Sequence, residues 1–123
     1  MAQTFLTLES LTKTFGELQV VKGFDMAVEQ GEFISFLGPS GCGKTTVLRM
    51  IAGFERPTSG RILVDGADLT VLPPSRRRIG MVFQAYALFP NMNVADNIAF
   101  GLKVAHRPRA EMARRVDEML ELI

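Results

Sequence analysis

The sequence predicts an α/β fold in which an antiparallel β subdomain precedes a three-layer αβα core with a parallel sheet. Two runs, 5–15 and 21–28, have apolar residues among polar ones at strand spacing, and a short turn at 16–17 separates them, which favours antiparallel pairing. The run 33–37 is short, nearly all apolar and ends at a glycine, which is typical of a strand buried on both faces. A similar apolar strand is predicted at 79–83.

The remaining elements follow from local signals. Residues 46–52 predict a helix that stops at Gly53, and a short strand is predicted at 61–64. Asn93 is expected to cap a helix that begins at Val94, because its side chain can accept from the free amides of the first turn. Residues 110–123 place their apolar side chains on one helical face, whereas 85–93 show no period and are predicted to be a loop.

Composition limits the function classes. The chain has 123 residues, 47% hydrophobic, 22% charged and with a net charge of +1, so a nucleic-acid surface is not expected. The basic cluster 76–78 is interpreted as a solvated face. No signal peptide or apolar run of membrane-spanning length is present, so we expect a cytoplasmic protein whose membrane role comes through a partner. Because the chain stops on the apolar pair Leu122-Ile123 without a cap, residues 1–123 are expected to be the N-terminal part of a longer domain.

A glycine-rich loop carries the strongest functional signal. Residues 38–45 match G-x-x-x-x-G-K-[ST], with a predicted strand before and a predicted helix after. Glycines let several backbone N–H groups converge on one phosphate, and the positive end of the following helix points at it. Lys44 would reach the β and γ phosphates, and the Thr45 hydroxyl would bind Mg²⁺. The predicted ligand is ATP, and the predicted nucleotide-binding residues of this segment are Gly38, Pro39, Ser40, Gly41, Cys42, Gly43, Lys44, Thr45 and Thr46.

Simpler interpretations of the loop stay open. The segment could be a glycine-rich turn with a solvated lysine, and Cys42 could merely fill a variable position of the pattern. If the Cys42 thiol is reachable, a thiol reagent is expected to block nucleotide binding and MgATP to protect the thiol.

The segments GPSGCGKTT, LRMIAGFERPTSG and IGMVFQAYALFP, in this order, closely resemble the ATP-binding subunit of ABC transporters over residues 6–102. The resemblance implies that Phe15 stacks on adenine, although the family often has tyrosine there and a plain strand-end hydrophobe is the alternative. It implies that Gln84 reaches Mg²⁺ and positions the attacking water, the alternative being an ordinary polar loop residue. It also implies that the following loop contacts a transmembrane permease subunit rather than a core, through Tyr86, Leu88, Phe89 and Pro90.

The sequence contains no LSGGQ-like signature, no apolar run ending in Asp-Glu and no switch histidine. The resemblance therefore implies an ATP hydrolase in a full-length protein, with half of the catalytic site here and the rest supplied by later residues and by a second, head-to-tail copy. This chain alone is expected to have negligible ATPase activity and low stability. The motifs look most like importers of polyamines (spermidine and putrescine), iron(III) and related solutes, and polyamine is preferred.

Three other functions remain open at this point. A soluble kinase of the same loop class would need an acceptor site and a lid, and the contexts of Gln84 and Phe15 disfavour it. An ABC ATPase acting on ribosomes or DNA usually carries insertions or paired domains that are missing from this stretch. The chain could also be a nucleotide-binding module without turnover.

Overall fold

The structure is a computed structural model that describes residues 3–38, 43–83, 85 and 87–123. Within it the chain forms two compact units, Met1–Met81 and Val82–Ile123. The elements of the first unit are β1 (Thr4–Phe15), β2 (Leu18–Glu29), α1 (Lys44–Ala52), β3 (Ser59–Val64), β4 (Ala67–Asp68) and a 3₁₀ turn (Pro74–Arg76). Those of the second are α2 (Val94–Val104) and α3 (Arg109–Leu122).

The strands of the first unit form one sheet in the order β2-β1-β3-β4, with every neighbouring pair antiparallel. In the β1–β2 hairpin, Phe15 lies opposite Leu18, so only two residues form the turn. Gly16 takes the first turn position with φ 60°, as a type II′ turn requires. The predicted antiparallel pair is therefore confirmed, and β4 is a short strand that the sequence pattern did not indicate.

The core of the first unit lies between the sheet and α1. Apolar side chains from β1, β2 and β3 meet two from α1. Removing their apolar surface from water stabilises the fold by about 25 cal/mol per Å² buried. Leu11, Met50 and Ile62 are fully buried. The buried cluster consists of Leu8, Leu11, Val21, Val47, Met50 and Ile62.

Both ends of α1 are set by glycine. Gly53 adopts φ 96° and donates its N–H to the Arg49 carbonyl at 2.9 Å, so the predicted stop is confirmed. The helix begins at Lys44, two residues before the predicted start, because Gly43 takes the capping position.

The two short buried strands predicted at 33–37 and 79–83 are wrong for this structure. Neither segment joins the sheet among the residues described, and Phe33 and Leu37 are 91% and 93% exposed. Apolar composition shows that a segment can be buried between neighbours, but strand formation also needs a partner backbone at about 4.8 Å. The four described strands pair only with one another, so these two segments lack such a partner.

The basic cluster 76–78 corrects another expectation. Arg76 and Arg78 are exposed as predicted, but Arg77 is only 6% exposed. Its guanidinium donates to backbone carbonyls, two of which belong to the last turn of α1. Burial lowers the pKa of Arg77. The acceptors are the carbonyl oxygens of Met50 at 2.7 Å, Leu72 at 2.9 Å, Ile51 at 3.1 Å and Thr70 at 3.1 Å.

The second unit is a pair of helices. The Asn93 side chain accepts from the Asp96 N–H at 2.8 Å, which confirms the predicted cap of α2. α3 follows Pro108 as predicted and buries Val116. No helix in the described parts of the chain is both long enough and apolar enough to cross a bilayer.

Candidate functional site

A cavity of about 720 Å³ opens on the first unit beside the start of α1. This volume lies within the range of small-molecule sites, about 300–1,000 Å³. Its walls come from β2, from the segment before the glycine-rich loop and from the first turn of α1. The lining residues are Leu18, Gln19, Val20, Val21, Lys22, Gly23, Phe24, Ser35, Phe36, Leu37, Gly43, Lys44 and Val47.

The N-terminus of α1 meets this cavity without a side-chain cap. The Val47 N–H donates to the Gly43 carbonyl at 2.9 Å, and this is the first hydrogen bond of the helix. The amides of Lys44, Thr45 and Thr46 therefore have no acceptor within the helix, and no acidic residue lies in its first turn. Such an end has a partial positive charge and suits an anion.

Gly43 makes this approach of helix and sheet feasible. Its φ of 91° lies in the left-handed region, and a Cβ there would stand 3.1 Å from the Val20 carbonyl oxygen and 3.4 Å from Val21 Cγ2. A side chain would thus press against the β2 wall of the cavity. Both the backbone conformation and the packing therefore favour glycine at position 43, the last glycine of the loop pattern.

Lys44 lines the cavity and is half-buried. Its ammonium donates to the carbonyl oxygen of Gly38, which closes the loop from its first described residue to the start of the helix. An ammonium has three donors, so this bond leaves two for an anion. The structure therefore brings together Gly38, Gly43 and Lys44, three of the predicted nucleotide-binding residues.

The first turn of α1 carries two threonine hydroxyls, and that of Thr45 is the predicted metal ligand. Thr45 is exposed and Thr46 is half-buried. Within the described residues, no group of three or more His, Cys, Asp or Glu side chains could hold a metal ion. A metal here would need oxygens from the bound anion and from water, a ligand set that suits Mg²⁺.

Phe15 ends β1 at the hairpin next to the cavity. Its partner across the turn is Leu18, and directly opposed residues of an antiparallel pair share a face. Leu18 lines the cavity, so Phe15 lies directly opposite a residue of the cavity wall. The ring is 44% exposed, and the Lys13 ammonium lies 5.0 Å from its centroid.

Several predicted site residues lie outside the described residues. Gln84, the predicted metal and water contact, and Tyr86, a predicted permease contact, are two of them. The others are the central loop residues Pro39, Ser40, Gly41 and Cys42.

The other predicted partner contacts lie in the second unit. Leu88 is 76% exposed, and Phe89 and Pro90 are also exposed. The Phe89 ring packs on Phe100 of α2, with centroids 4.5 Å apart, so one side of this ring has a partner within its own unit.

The glycine-rich loop pattern does not indicate the β2 wall of the cavity. Val20 and Val21 lie some twenty residues before the loop, and their only sequence signal is strand periodicity. Nor does the pattern indicate Lys13, whose i,i+2 relation to Phe15 places both side chains on one face of β1. That spacing was visible in the sequence.

Known proteins of one family are similar to this chain. Residues 21–123 match the family model described as ABC transporter. The chain is 57% identical over 122 residues to the spermidine/putrescine import ATP-binding protein PotA of Thermobifida fusca, covering 96% of this chain and 32% of that protein. It is 49% identical over 121 residues to the Fe(3+) ions import ATP-binding protein FbpC of Photorhabdus laumondii, covering 98% of this chain and 34% of the relative.

A solved dimeric structure of a bacterial ABC transporter cassette has the same fold. It matches with a TM-score of 0.80 and 32% identity over 94% of this chain and 54% of the other. The predicted α/β fold class is thereby confirmed. The chain spans about a third of the length of the curated relatives it matches.

Proposed function

The chain belongs to the ABC transporter family, and we propose that it binds ATP with Mg²⁺ as the energy-coupling part of a solute import system. The family implies nucleotide binding. ATP as the nucleotide, Mg²⁺ as the metal, hydrolysis and import by the whole protein are parts of the proposal. Residues 1–123 are taken as the N-terminal part of the nucleotide-binding domain.

One observation carries the proposal. The Lys44 ammonium and the uncapped N-terminus of α1 share one cavity, so a mobile positive charge and three fixed amide donors can act on the same anion. A triphosphate carries several negative charges within a small radius and is the ligand that such a donor set fits. A single carboxylate would leave most of these donors without an acceptor.

We assign the residues as follows. Lys44 and the amides of Lys44–Thr46 hold phosphate oxygens, and Gly38 and Gly43 shape the loop around them. Phe15 offers its ring to the base, while Gln84 contacts the metal and orients water. The loop residues Pro39, Ser40, Gly41 and Cys42 complete the phosphate cradle.

The Thr45 hydroxyl is the proposed protein ligand of Mg²⁺, together with Gln84. When bound, MgATP supplies a γ-phosphoryl group that is transferred to water, with the metal neutralising charge on the phosphates. The task of this chain is to hold that group at a fixed place. Lys44 and the first turn of α1 stabilise negative charge there.

Import requires partners. The relatives are named import ATP-binding proteins, and the solved cassette is described as dimeric. We propose a second copy in head-to-tail contact, and transmembrane permease subunits that bind the surface formed by Tyr86, Leu88, Phe89 and Pro90. The protein would then lie on the cytoplasmic face of the cell membrane, without a nucleic-acid partner.

The proposed cargo is a polyamine, spermidine or putrescine. The support is the naming of relatives, since several polyamine importers reach 51–57% identity, against 49–50% for the iron(III) importers. The difference is small, so uptake of labelled spermidine, putrescine and iron(III) by cells with and without the gene is the deciding measurement.

Nucleotide binding is tested by titrating the protein with MgATP in a calorimeter. Lys44→Ala should weaken binding at least about tenfold, because a charge-assisted contact to phosphate is lost. Lys103→Ala, which removes a cation in the other unit, should leave the affinity unchanged. Equal affinities for the wild type and Lys44→Ala would contradict the proposal.

A further inference from the structure

We propose that Lys13 is a positioning residue for the nucleobase, because its ammonium covers one face of Phe15 and leaves the opposite face for the base. The inference rests on the proposed function, since it assumes that Phe15 meets the base of a bound nucleotide. It adds a residue that the loop pattern does not include.

The contact between the two residues has a simple origin. Lys13 and Phe15 are two positions apart on β1, and alternate residues of a strand point to the same side. The ammonium nitrogen lies 5.0 Å from the ring centroid, within the range of about 6 Å for a cation–π interaction.

Lys13 is held firmly on its other side. Its ammonium donates to the Arg56 carbonyl at 2.7 Å and lies 3.3 Å from a carboxylate oxygen of Glu55. The Lys13 side chain is only 15% exposed, so the long alkyl chain is packed rather than free. A cation held by these two partners is a rigid support for a ring.

These neighbours connect the support to α1. The N–H groups of Phe54 and Glu55 donate to the Arg49 carbonyl at 2.9 and 3.3 Å, which ties the segment after the helix to its last turn. The chain of contacts runs from α1 through Glu55 to Lys13 and then to Phe15. The same helix presents Lys44 to the cavity at its other end. The same helix therefore contributes phosphate donors at its start and, through Glu55, is linked at its end to the cation behind Phe15.

The geometry leaves room for a base. An aromatic ring has two faces, and the ammonium occupies one of them. Phe15 is still 44% exposed, and its cross-strand partner Leu18 lines the cavity. A ring already held in place loses little rotamer freedom when a base stacks on it, so fixing it increases affinity for the base alone.

The experiment separates base from phosphate. The affinities of the full chain for MgATP and for Mg-tripolyphosphate, which has no base, are measured by calorimetry for the wild type and Lys13→Met. We expect Lys13→Met to weaken ATP binding by about two- to fivefold and to leave tripolyphosphate binding unchanged. Lys13→Arg should restore ATP affinity, because a guanidinium also stacks on a ring and pairs with a carboxylate.

Two further variants sharpen the test. In a Phe15→Ala background, Lys13→Met should have no additional effect on ATP affinity, as a double-mutant cycle requires of a residue that acts through another. Arg61→Met is the matched control, because it removes a cation that is also paired with a glutamate, Glu9 on the neighbouring strand. It should leave both affinities unchanged.

The outcomes are distinct. Equal loss of ATP and tripolyphosphate affinity in Lys13→Met would place Lys13 on the phosphates or in folding, and would overturn the inference. Unchanged ATP affinity would overturn it as well. If the wild-type chain binds tripolyphosphate as tightly as ATP, the base adds no affinity, and this inference is overturned while phosphate binding stands. If the wild-type chain binds neither ligand, the proposed function and this inference are overturned together.

Discussion

Asn97 holds the backbone of Phe89 at both of its polar groups. The side-chain oxygen accepts from the Phe89 N–H at 2.9 Å, and the side-chain nitrogen donates to the Phe89 carbonyl at 3.3 Å. The same nitrogen donates to the carbonyls of Met92 and Asn93 at 3.2 and 2.8 Å. A single side chain of α2 thus fixes the loop before the helix, and with it the exposed apolar residues Leu88 and Phe89.

Asn97→Ala should loosen this loop and destabilise the second unit by about 1–3 kcal/mol, because several carbonyls and one N–H lose their partner. Hydrogen exchange of the Phe89 amide is the measurement. Asn97→Asp serves as the matched variant, since its carboxylate still accepts from the Phe89 N–H but cannot donate to the carbonyls. Protection of the Phe89 amide should survive in Asn97→Asp and be lost in Asn97→Ala, and equal protection in both would contradict the role of Asn97.

Arg77→Met should lower the free energy of unfolding of the first unit by about 2–4 kcal/mol. The change leaves four carbonyls without the guanidinium that satisfies them, including two at the end of α1. The stability of Arg77→Lys should lie between those of the wild type and Arg77→Met. An ammonium is a point donor and cannot reach all four carbonyls.

The control for Arg77 is its neighbour. Arg76 is exposed, so Arg76→Met removes the same charge and should change stability by no more than about 0.5 kcal/mol. Denaturant unfolding followed by circular dichroism compares the variants. If both methionine variants cost the same, the buried contacts of Arg77 are not the cause.

Gly43→Ala should destabilise the first unit and weaken phosphate binding. The residue would carry a side chain at φ 91° and press on the Val20 carbonyl. Gly31→Ala separates the two effects, because Gly31 has φ 81° with open space around it. The left-handed conformation costs each variant about 1–2 kcal/mol, so only the additional loss in Gly43→Ala reports the close approach to β2.

Unfolding and tripolyphosphate titration measure both consequences. Gly31→Ala should keep the wild-type affinity for tripolyphosphate. The expectation is contradicted if Gly43→Ala binds tripolyphosphate like the wild type and is no less stable than Gly31→Ala. The N-terminus of α1 would then tolerate a side chain at position 43.

Acid should weaken the turn after β4. The Asp68 carboxylate accepts hydrogen bonds from the Thr70 hydroxyl and the Thr70 N–H, and these bonds lower the pKa of Asp68 below its ordinary value. Since the folded state holds this proton less tightly than the unfolded chain, the stabilisation is present above the ordinary aspartate pKa. It is lost as the pH falls through the lower, folded value.

Unfolding free energies at neutral pH and at about pH 3 test this linkage. Asp68→Asn keeps a carbonyl acceptor but cannot titrate, so it should lose less stability on acidification than the wild type. Asp117→Asn, in the second unit, should leave the acid sensitivity of the first unit as it is. If the unfolding free energies of the wild type and Asp68→Asn depend on pH in the same way, Asp68 does not cause the acid sensitivity.

Features of this chain that depend on near neighbours follow from its sequence alone. The two-residue hairpin at 16–17, the cap at Asn93 and the stop at Gly53 each follow from backbone preferences or from hydrogen bonds that span a few residues. The contact between Gly38 and Lys44 also spans only six positions, although the loop pattern itself predicts Lys44 as a phosphate ligand and not as a partner of Gly38.

Contacts between segments far apart in the chain depend on the fold as a whole. The apolar runs 33–37 and 79–83 are suited to a buried strand, yet within the described residues no neighbouring strand pairs with them, because pairing depends on a distant backbone. Arg77 looks like its exposed neighbours in sequence, but α1 and the loop after β4 together surround it with carbonyls. Gly43 lets the start of α1 approach Val20 beside the cavity, and that approach joins a loop with a strand some twenty residues earlier.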